Sequence, residues 1–141
     1  MDAKTLDAPP GFVRHDRKSP LTDPWEPLWA RQAGDTVVLG LRAGPAHTNS
    51  RGFVHGGLIG ALADNAMGLS CARRLGIKGG LVTVSLSVDF LGMALKGQWL
   101  EFDTVFVKPG GTLSFAQAFV TADGQPCARA NAVFRAVRKA A

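Results

Sequence analysis

The chain has 141 residues, of which 46% are hydrophobic and 19% are charged, a composition typical of one globular domain. The longest uncharged apolar stretch, residues 52–63, is shorter than the roughly 20 residues that span a bilayer. The first residues lack the apolar segment of a secretory signal. These features argue against a membrane protein, a secreted miniprotein and a multidomain assembly, and they predict a cytoplasmic protein.

The formal net charge of +5 favours an anionic partner in general terms. The basic residues are dispersed, however, and no basic run alternates with aromatic residues, so we expect neither a nucleic-acid nor a membrane partner. Cys71 and Cys127 lack the spacing of a zinc site or of a disulfide framework, and we expect two buried thiols. No serine lies in a GxSxG context, which excludes the common nucleophile elbow of serine hydrolases.

The N-terminal part of the chain differs in composition from the rest. Residues 1–24 contain four prolines and many charges, and they predict a mostly irregular arm with a helical turn near Leu21. Residues 25–141 form the single predicted domain. It starts with a hairpin that pairs residues 26–32 with 35–42, followed by a loop rich in turn-forming residues.

Helical spacing follows this loop and predicts a helix from residue 56 to about 74, ending near Gly76. One stripe of this helix is apolar: Leu58, Leu62, Ala66 and Leu69. Another face carries small residues around one carboxylate: Gly57, Gly60, Ala61, Asp64 and Gly68. Each glycine costs about 0.5–1 kcal/mol relative to alanine, so we expect a backbone or a ligand to approach this face closely.

The remaining sequence alternates as strands do. Residues 81–90 predict a half-buried strand, with one face formed by Val82, Val84, Leu86, Val88 and Phe90 and the other by Thr83, Ser85, Ser87 and Asp89. Further strands are predicted near 98–107, 112–122 and 126–137. One long helix with a run of antiparallel strands predicts an α+β fold, in which the helix packs on one face of the sheet.

Two features could carry chemistry. Gly56 and Gly57 at the helix start leave backbone N–H groups unshielded, and the Gly57 N–H is a candidate donor to an anion or a developing oxyanion. The alternative is that both glycines only permit a tight entry turn. Asp64 is unusual in mid-helix; in a pocket it would act as base or nucleophile, and otherwise it is a solvated surface acid.

Neighbouring polar residues leave similar alternatives open. His47, His55 and Asp64 match no familiar metal-binding spacing, so we expect no metal site. Asn49 would either cap its loop or direct an amide N–H at a substrate carbonyl, and Thr83 would otherwise be an ordinary strand hydroxyl.

Residues 47–68, HTNSRGFVHGGLIGALADNAMG, contain the pattern N-x5-HGG-x6-D. Together with VTVSLSVDFL at 82–91 and KPGGTLSFA at 108–116, this pattern resembles the PaaI-type acyl-CoA thioesterases of the hotdog fold. The resemblance spans residues from about 25 to 137, nearly everything except the N-terminal arm.

The resemblance implies a five- or six-stranded antiparallel sheet wrapped around the long helix. It also implies a homodimer, in which two chains form one continuous sheet, and a homotetramer formed by two such dimers. It also implies hydrolysis of an acyl-CoA thioester without a cofactor, since coenzyme A is part of the substrate. Asp64 would activate water or attack the thioester. The Gly57 N–H would polarise the carbonyl, Asn49 and His55 would set that end of the site, and Thr83 would assist the water or the aspartate.

Substrate binding is expected at Gly56, Lys108, Gly110, Gly111 and Arg73. Basic residues at the rim would meet the phosphates of coenzyme A. Gly110 and Gly111 would let the pantetheine arm pass close to the backbone, or would simply form a hairpin turn.

The spacing of two candidate residues predicts a shared site. Gly57 and Asp64 lie seven residues apart, or ~10.5 Å along a helix axis, whereas both must reach one carbonyl. Two antiparallel helices across a two-fold axis could meet this requirement, with the glycine ladder letting them approach. Two other functions stay open: a non-catalytic acyl-CoA-binding module, and a hotdog-type enoyl-CoA hydratase, although the Asp-to-His spacing usual in such hydratases is not present.

Overall fold

The computed structural model describes residues 8–137, so residues 1–7 of the predicted arm and 138–141 of the predicted domain lie outside the described residues. One α-helix, α1 (Gly56–Leu75), packs on one face of a seven-stranded antiparallel sheet. The strands are β1 (Val13–Arg14), β2 (Trp29–Ala33), β3 (Thr36–Arg42), β4 (Leu81–Phe90), β5 (Trp99–Lys108), β6 (Leu113–Ala122) and β7 (Gln125–Ala136). Their order in the sheet is β1-β2-β3-β5-β6-β7-β4. The α+β prediction is confirmed.

The ends of α1 follow from local chemistry. His55 caps its start, where Nδ1 accepts a 2.8 Å hydrogen bond from the Gly57 N–H. Gly76 ends the helix in the left-handed conformation, with φ of 70°, which glycine adopts without strain. The predicted helix is therefore confirmed to within one residue. Within residues 8–137, no helical segment combines the length and apolar character needed to cross a membrane.

The small-residue face of α1 lies against the sheet of its own chain. A β-carbon at Gly60 would lie 3.8 Å from a methyl of Val88, and one at Gly68 would lie 3.5 Å from the ring of Phe134. One at Gly56 would lie 3.1 Å from the Phe90 ring. At these three positions the close neighbour expected from sequence is the sheet itself, and the glycines let α1 approach it.

The alternation predicted for β4 fails at Val84, so Val82 and Thr83, which precede it, both lie on the faces opposite to those predicted. Thr83 pairs with Phe134 and Ser85 with Val133, so Val84 is an extra residue in a β-bulge. The bulge turns Thr83 to the side of the sheet that faces α1. Strict alternation had assigned it to the other side, with Ser85, Ser87 and Asp89.

Strand β4 also differs from the half-buried strand that was predicted. It forms one end of the sheet and, among residues 8–137, pairs with β7 alone. Val82 is 52% exposed, Val84 57% and Phe90 56%. Of the apolar face that was predicted, Val88 packs against the core, whereas Val82, Val84 and Phe90 are exposed at this end of the sheet.

The arm is more ordered than the predicted irregular segment. Strand β1 pairs with β2 and extends the sheet to seven strands, beyond the five or six expected. The helical turn predicted near Leu21 is a 3-10 turn at Asp23–Trp25. Glu26 Oε1 anchors the arm, since it lies 3.3 Å from both the Arg14 guanidinium and the Lys18 ammonium and accepts a 3.0 Å bond from the Leu28 N–H.

Both cysteines are buried free thiols, as predicted. Burial raises the pKa of the Cys71 thiol to about 11 and raises that of Cys127 as well. Such thiols are poor nucleophiles at neutral pH, because the thiolate is the reactive form.

Candidate functional site

Asp64 and Thr83 form the centre of the site. Asp64 lies half-buried on α1, and its Oδ1 accepts a 2.7 Å hydrogen bond from the Thr83 hydroxyl on β4. Among residues 8–137, no other side chain or backbone N–H donates to this carboxylate, which leaves Oδ2 available. The hydrogen bond fixes the orientation of Asp64 and leaves one oxygen free to meet a water or a carbonyl carbon.

A cavity of about 200 Å³ opens beside this pair. Its apolar wall is formed by Leu28, Leu39, Leu69, Leu81 and Phe134. The polar wall comes from the N-terminal arm: His15, Arg17, Lys18, Ser19 and Thr22. Sequence reasoning missed the arm, because its irregular, proline-bracketed sequence carries no periodicity that would place it against α1.

The Gly57 N–H, the candidate oxyanion donor, already has a partner. It donates to the Nδ1 atom of His55 over 2.8 Å, at an exposed position. A substrate carbonyl would have to displace the imidazole to receive this bond. Protonation of Nδ1 would have the same effect, because an imidazolium has no acceptor nitrogen. Gly56, beside it, lies against Phe90 and does not line the Asp64 cavity.

The loop before α1 is held together by Asn49. Its Oδ1 accepts bonds from the backbone N–H groups of Arg51 at 2.9 Å and Phe53 at 3.1 Å. Of the two roles considered for Asn49, the capping role is the one that its oxygen performs. These bonds do not use the side-chain NH2, whose N–H groups are the donors that a substrate carbonyl would need.

His47 is a structural residue. It is 7% exposed, its Nδ1 accepts from the Gly44 N–H at 2.9 Å, and its Nε2 lies 2.9 Å from the Trp25 carbonyl oxygen. Both ring nitrogens are thus occupied in joining the loop to the end of the arm. Across the described part of the chain, no three His, Cys, Asp or Glu side chains are grouped to hold a metal ion.

The residues expected to bind coenzyme A lie apart from Asp64 in a single chain. Arg73 is exposed in the last turn of α1, and Lys108 is exposed at the end of β5. Gly110 forms the tight turn after β5, where a β-carbon would collide with the Leu113 carbonyl, so the hairpin-turn interpretation fits it. Gly111 lines a separate groove of about 800 Å³ over the ends of β4 and β7, with Val82, Val84, Thr112, Arg135, Ala136 and Val137.

Comparisons with known proteins agree with this architecture. The sequence profile of the "Thioesterase superfamily" matches residues 51–128. A Pseudomonas aeruginosa protein named "Putative esterase PA0474" is 38% identical over 130 residues, which cover 92% of this chain and 97% of that protein. Human acyl-coenzyme A thioesterase 13 is 32% identical over 87 residues, 60% of each chain. A variant of the phenylacetic acid degradation protein PaaI from Thermus thermophilus superposes with a TM-score of 0.73 at 22% identity, over 84% of this chain and all of that one.

Proposed function

Because the chain belongs to the thioesterase superfamily and is a thioester hydrolase, we propose that it hydrolyses acyl-CoA to a free acid and coenzyme A, with Asp64 as the catalytic carboxylate. The observation that carries this proposal is the Asp64–Thr83 hydrogen bond beside a cavity. A carboxylate held by one oxygen, with the other free beside an acyl-sized cavity, suits attack on a carbonyl. The relative named acyl-coenzyme A thioesterase 13 supports the choice of substrate.

The active site of this proposal is shared between two chains. Gly57 and Asp64 lie on one continuous helix, ~10.5 Å apart along its axis, and cannot both contact one carbonyl. A second copy related by a two-fold axis would bring the Gly57 N–H of one chain to the Asp64 of the other. His55 would then act as a cap that the incoming carbonyl displaces from that N–H.

The open edge of β4 supports pairing with a second copy. The strand has ten residues, and its free edge exposes large apolar side chains such as Val82 and Val84. A long apolar edge strand exposes unpaired backbone groups that favour association. Antiparallel pairing of two β4 strands would produce one continuous sheet and cover this edge.

Either of two routes completes the reaction. Asp64 Oδ2 takes a proton from a water that attacks the thioester carbon, or it attacks that carbon itself and forms an anhydride that water then cleaves. In both, the C–S bond breaks with its electron pair on sulfur, and the thiolate of coenzyme A leaves with a proton from solvent. A single turnover in ¹⁸O-labelled water tests the second route, since ¹⁸O enters Asp64 only if an anhydride forms and water attacks its Asp64 carbonyl carbon.

Coenzyme A would lie in the groove that Gly111 lines, which runs over the face of β4 and β7 and leaves the edge of β4 free to pair. Gly111 and Arg135 line this groove, and the exposed Lys108 and Arg73 supply positive charge elsewhere on the surface. Guanidinium and ammonium groups are the usual partners of phosphate. The glycine leaves room for the pantetheine arm beside the turn.

Crotonyl-CoA and butyryl-CoA separate this proposal from its two rivals. A thioesterase releases free thiol from at least one of them. A hydratase removes the conjugated absorbance of crotonyl-CoA without releasing thiol, and a binding module binds both without changing either. Release of thiol by the wild type supports the proposal. Hydration of crotonyl-CoA without release of thiol overturns it, and so does binding without release of thiol from these two substrates and from heptanoyl-CoA and heptanedioyl-CoA.

A further inference from the structure

The cavity beside Asp64 has the size of an acyl group. Its volume of about 200 Å³ exceeds the ~150 Å³ that accommodates a benzene molecule. The wall contributed by α1 and the sheet is apolar, whereas the wall contributed by the N-terminal arm is polar and carries Arg17 and Lys18. An acyl group in this cavity would therefore have one side of its chain in an apolar environment and its far end beside basic residues.

Of the basic groups in this wall, Arg17 alone is an available cation. Burial lowers the pKa of His15, so the imidazole is neutral at pH 7. The Lys18 ammonium is paired with Glu26 at 3.3 Å. Among the described residues, no carboxylate lies within 4.0 Å of the Arg17 guanidinium. Arg17 is exposed at the mouth of the cavity and has no carboxylate partner there, so an anionic group of a ligand is the partner that its positive charge lacks.

The position of Arg17 is fixed at one end of the cavity. Its Nη1 donates to the Lys78 carbonyl at 3.4 Å, and a β-carbon at Gly79 would come within 2.7 Å of Nη2. A guanidinium has five N–H donors, so one bond to Lys78 leaves others for a ligand. Arg17 therefore lies over the loop that joins α1 to β4.

Arg17 and the catalytic carboxylate line the same cavity. Arg17 lies against Gly79 in the bend before β4, whereas Asp64 accepts from Thr83 within β4. An acyl group whose carbonyl carbon meets Asp64 therefore extends along the apolar wall toward Arg17.

We propose that Arg17 determines substrate specificity, and that the preferred acyl group ends in a carboxylate at the end of its chain far from the thioester. This inference rests on the proposed acyl-CoA hydrolysis and adds the class of acyl group. The guanidinium binds the distal carboxylate in a bidentate manner, while the intervening methylenes pack against the apolar wall. Binding at both ends holds the thioester carbonyl beside Asp64.

The test compares two substrates of equal length, heptanedioyl-CoA and heptanoyl-CoA. The readout is the ratio of their kcat/KM values, which cancels differences in enzyme concentration and folding. The wild type prefers the dioyl substrate, and Arg17→Gln lowers the ratio about tenfold, the size expected from losing a charge-assisted hydrogen bond. Arg42→Gln is the matched control, because Arg42 also donates to a loop carbonyl, that of Gly97, but does not line the cavity. This control keeps the wild-type ratio.

Two further measurements support the readout. Raising the salt concentration lowers the wild-type ratio, because screening weakens the contact between Arg17 and the carboxylate. The same comparison with shorter and longer pairs of equal length shows a preference for the dioyl substrate in at least one pair. The inference is overturned if the wild type shows no preference for the dioyl substrate, or if Arg17→Gln leaves the ratio unchanged. In either case, hydrolysis of heptanoyl-CoA leaves the proposed function standing. If neither the tested acyl-CoA series nor butyryl-CoA releases thiol, both proposals are overturned.

Discussion

The Thr83 hydroxyl reaches Asp64 Oδ1 at 2.7 Å because the bulge at Val84 turns Thr83 toward α1. Without the extra residue, Thr83 would lie on the same face as Ser85 and would point away from the helix. The bulge thus joins strand β4 to the carboxylate of α1, as bulges near functional sites commonly do.

Thr83→Val removes this hydrogen bond while keeping the β-branched shape. We expect kcat for acyl-CoA hydrolysis to fall about tenfold, because a hydrogen bond to a charged group is worth ~1.5–3 kcal/mol and the free carboxylate loses its fixed orientation. Thr83→Ser restores the hydroxyl and is expected to stay within about threefold of the wild type. A Thr83→Val enzyme as fast as the wild type would show that Thr83 is only a strand residue.

Complementation between inactive chains tests whether the site is shared. Gly57→Pro lacks the N–H donor and Asp64→Asn lacks the carboxylate, so each variant alone is expected to be inactive. Proline is tolerated in the first turn of a helix, where Gly57 lies. When equal amounts of the two variants are dissociated, mixed and allowed to reassociate, half of the dimers are heterodimers with one intact site each. We therefore expect about a quarter of the wild-type rate to return. Continued inactivity of confirmed heterodimers would mean that each chain builds its own site.

The anchor of the arm makes stability sensitive to acid. Burial acts to raise the pKa of Glu26, but the Leu28 N–H bond and the contacts with Lys18 and Arg14 outweigh it, so its pKa lies below its usual value. A carboxyl group with a lowered pKa stabilises the folded state above its unfolded pKa, near 4.5, and loses that contribution as the pH falls through the folded pKa.

Melting curves of Glu26→Gln and the wild type between pH 7 and pH 3 check this effect. We expect the variant to melt about 3–5 °C lower at pH 7, the shift that corresponds to ~1 kcal/mol in a domain of this size, and the difference to vanish toward pH 3. Asp35→Asn is the control, since Asp35 forms an exposed ion pair with Arg74 at 3.2 Å. A difference between Glu26→Gln and wild type that stays constant with pH would rule out ionic anchoring.

Cys71 is expected to resist alkylation. Its pKa of about 11, against about 9 for an exposed thiol, reduces the thiolate fraction near pH 8 about a hundredfold, and burial restricts access further. The rate of labelling with iodoacetamide in native buffer should therefore be at least a hundredfold lower than in denaturant. Rapid labelling of Cys71 in folded protein would contradict the packing around α1.

Much of the fold was predictable because its signals are local. Helical spacing and the terminal Gly76 place α1 to within a residue, and Asp64 stands out as a carboxylate on its small-residue face. The face of Thr83 was not predictable, because strict alternation is the default for a strand and one extra residue in a bulge leaves no mark in the sequence.

Two other parts of the site depend on contacts between distant residues. Arg17 meets the loop at Lys78 only after the arm folds back over the cavity, across 61 residues of sequence. The exposure of Val82 and Val84 on β4 reflects the place of that strand at the end of the sheet, whereas periodicity reports only which residues share a face. Neither the arm nor the open edge could be placed from spacing alone.

The central claim is that Asp64 carries the hydrolysis of acyl-CoA, and release of coenzyme A thiol by matched variants tests it most directly. Asp64→Asn keeps the shape of the side chain and removes the base, so kcat should fall at least ~100-fold with little change in substrate binding. Asp89→Asn is the control, because Asp89 lies on β4 and pairs with Arg129 at 2.9 Å, away from the cavity. We expect Asp89→Asn to turn over acyl-CoA at the wild-type rate and Asp64→Asn to lose nearly all turnover. Full turnover by Asp64→Asn would contradict it.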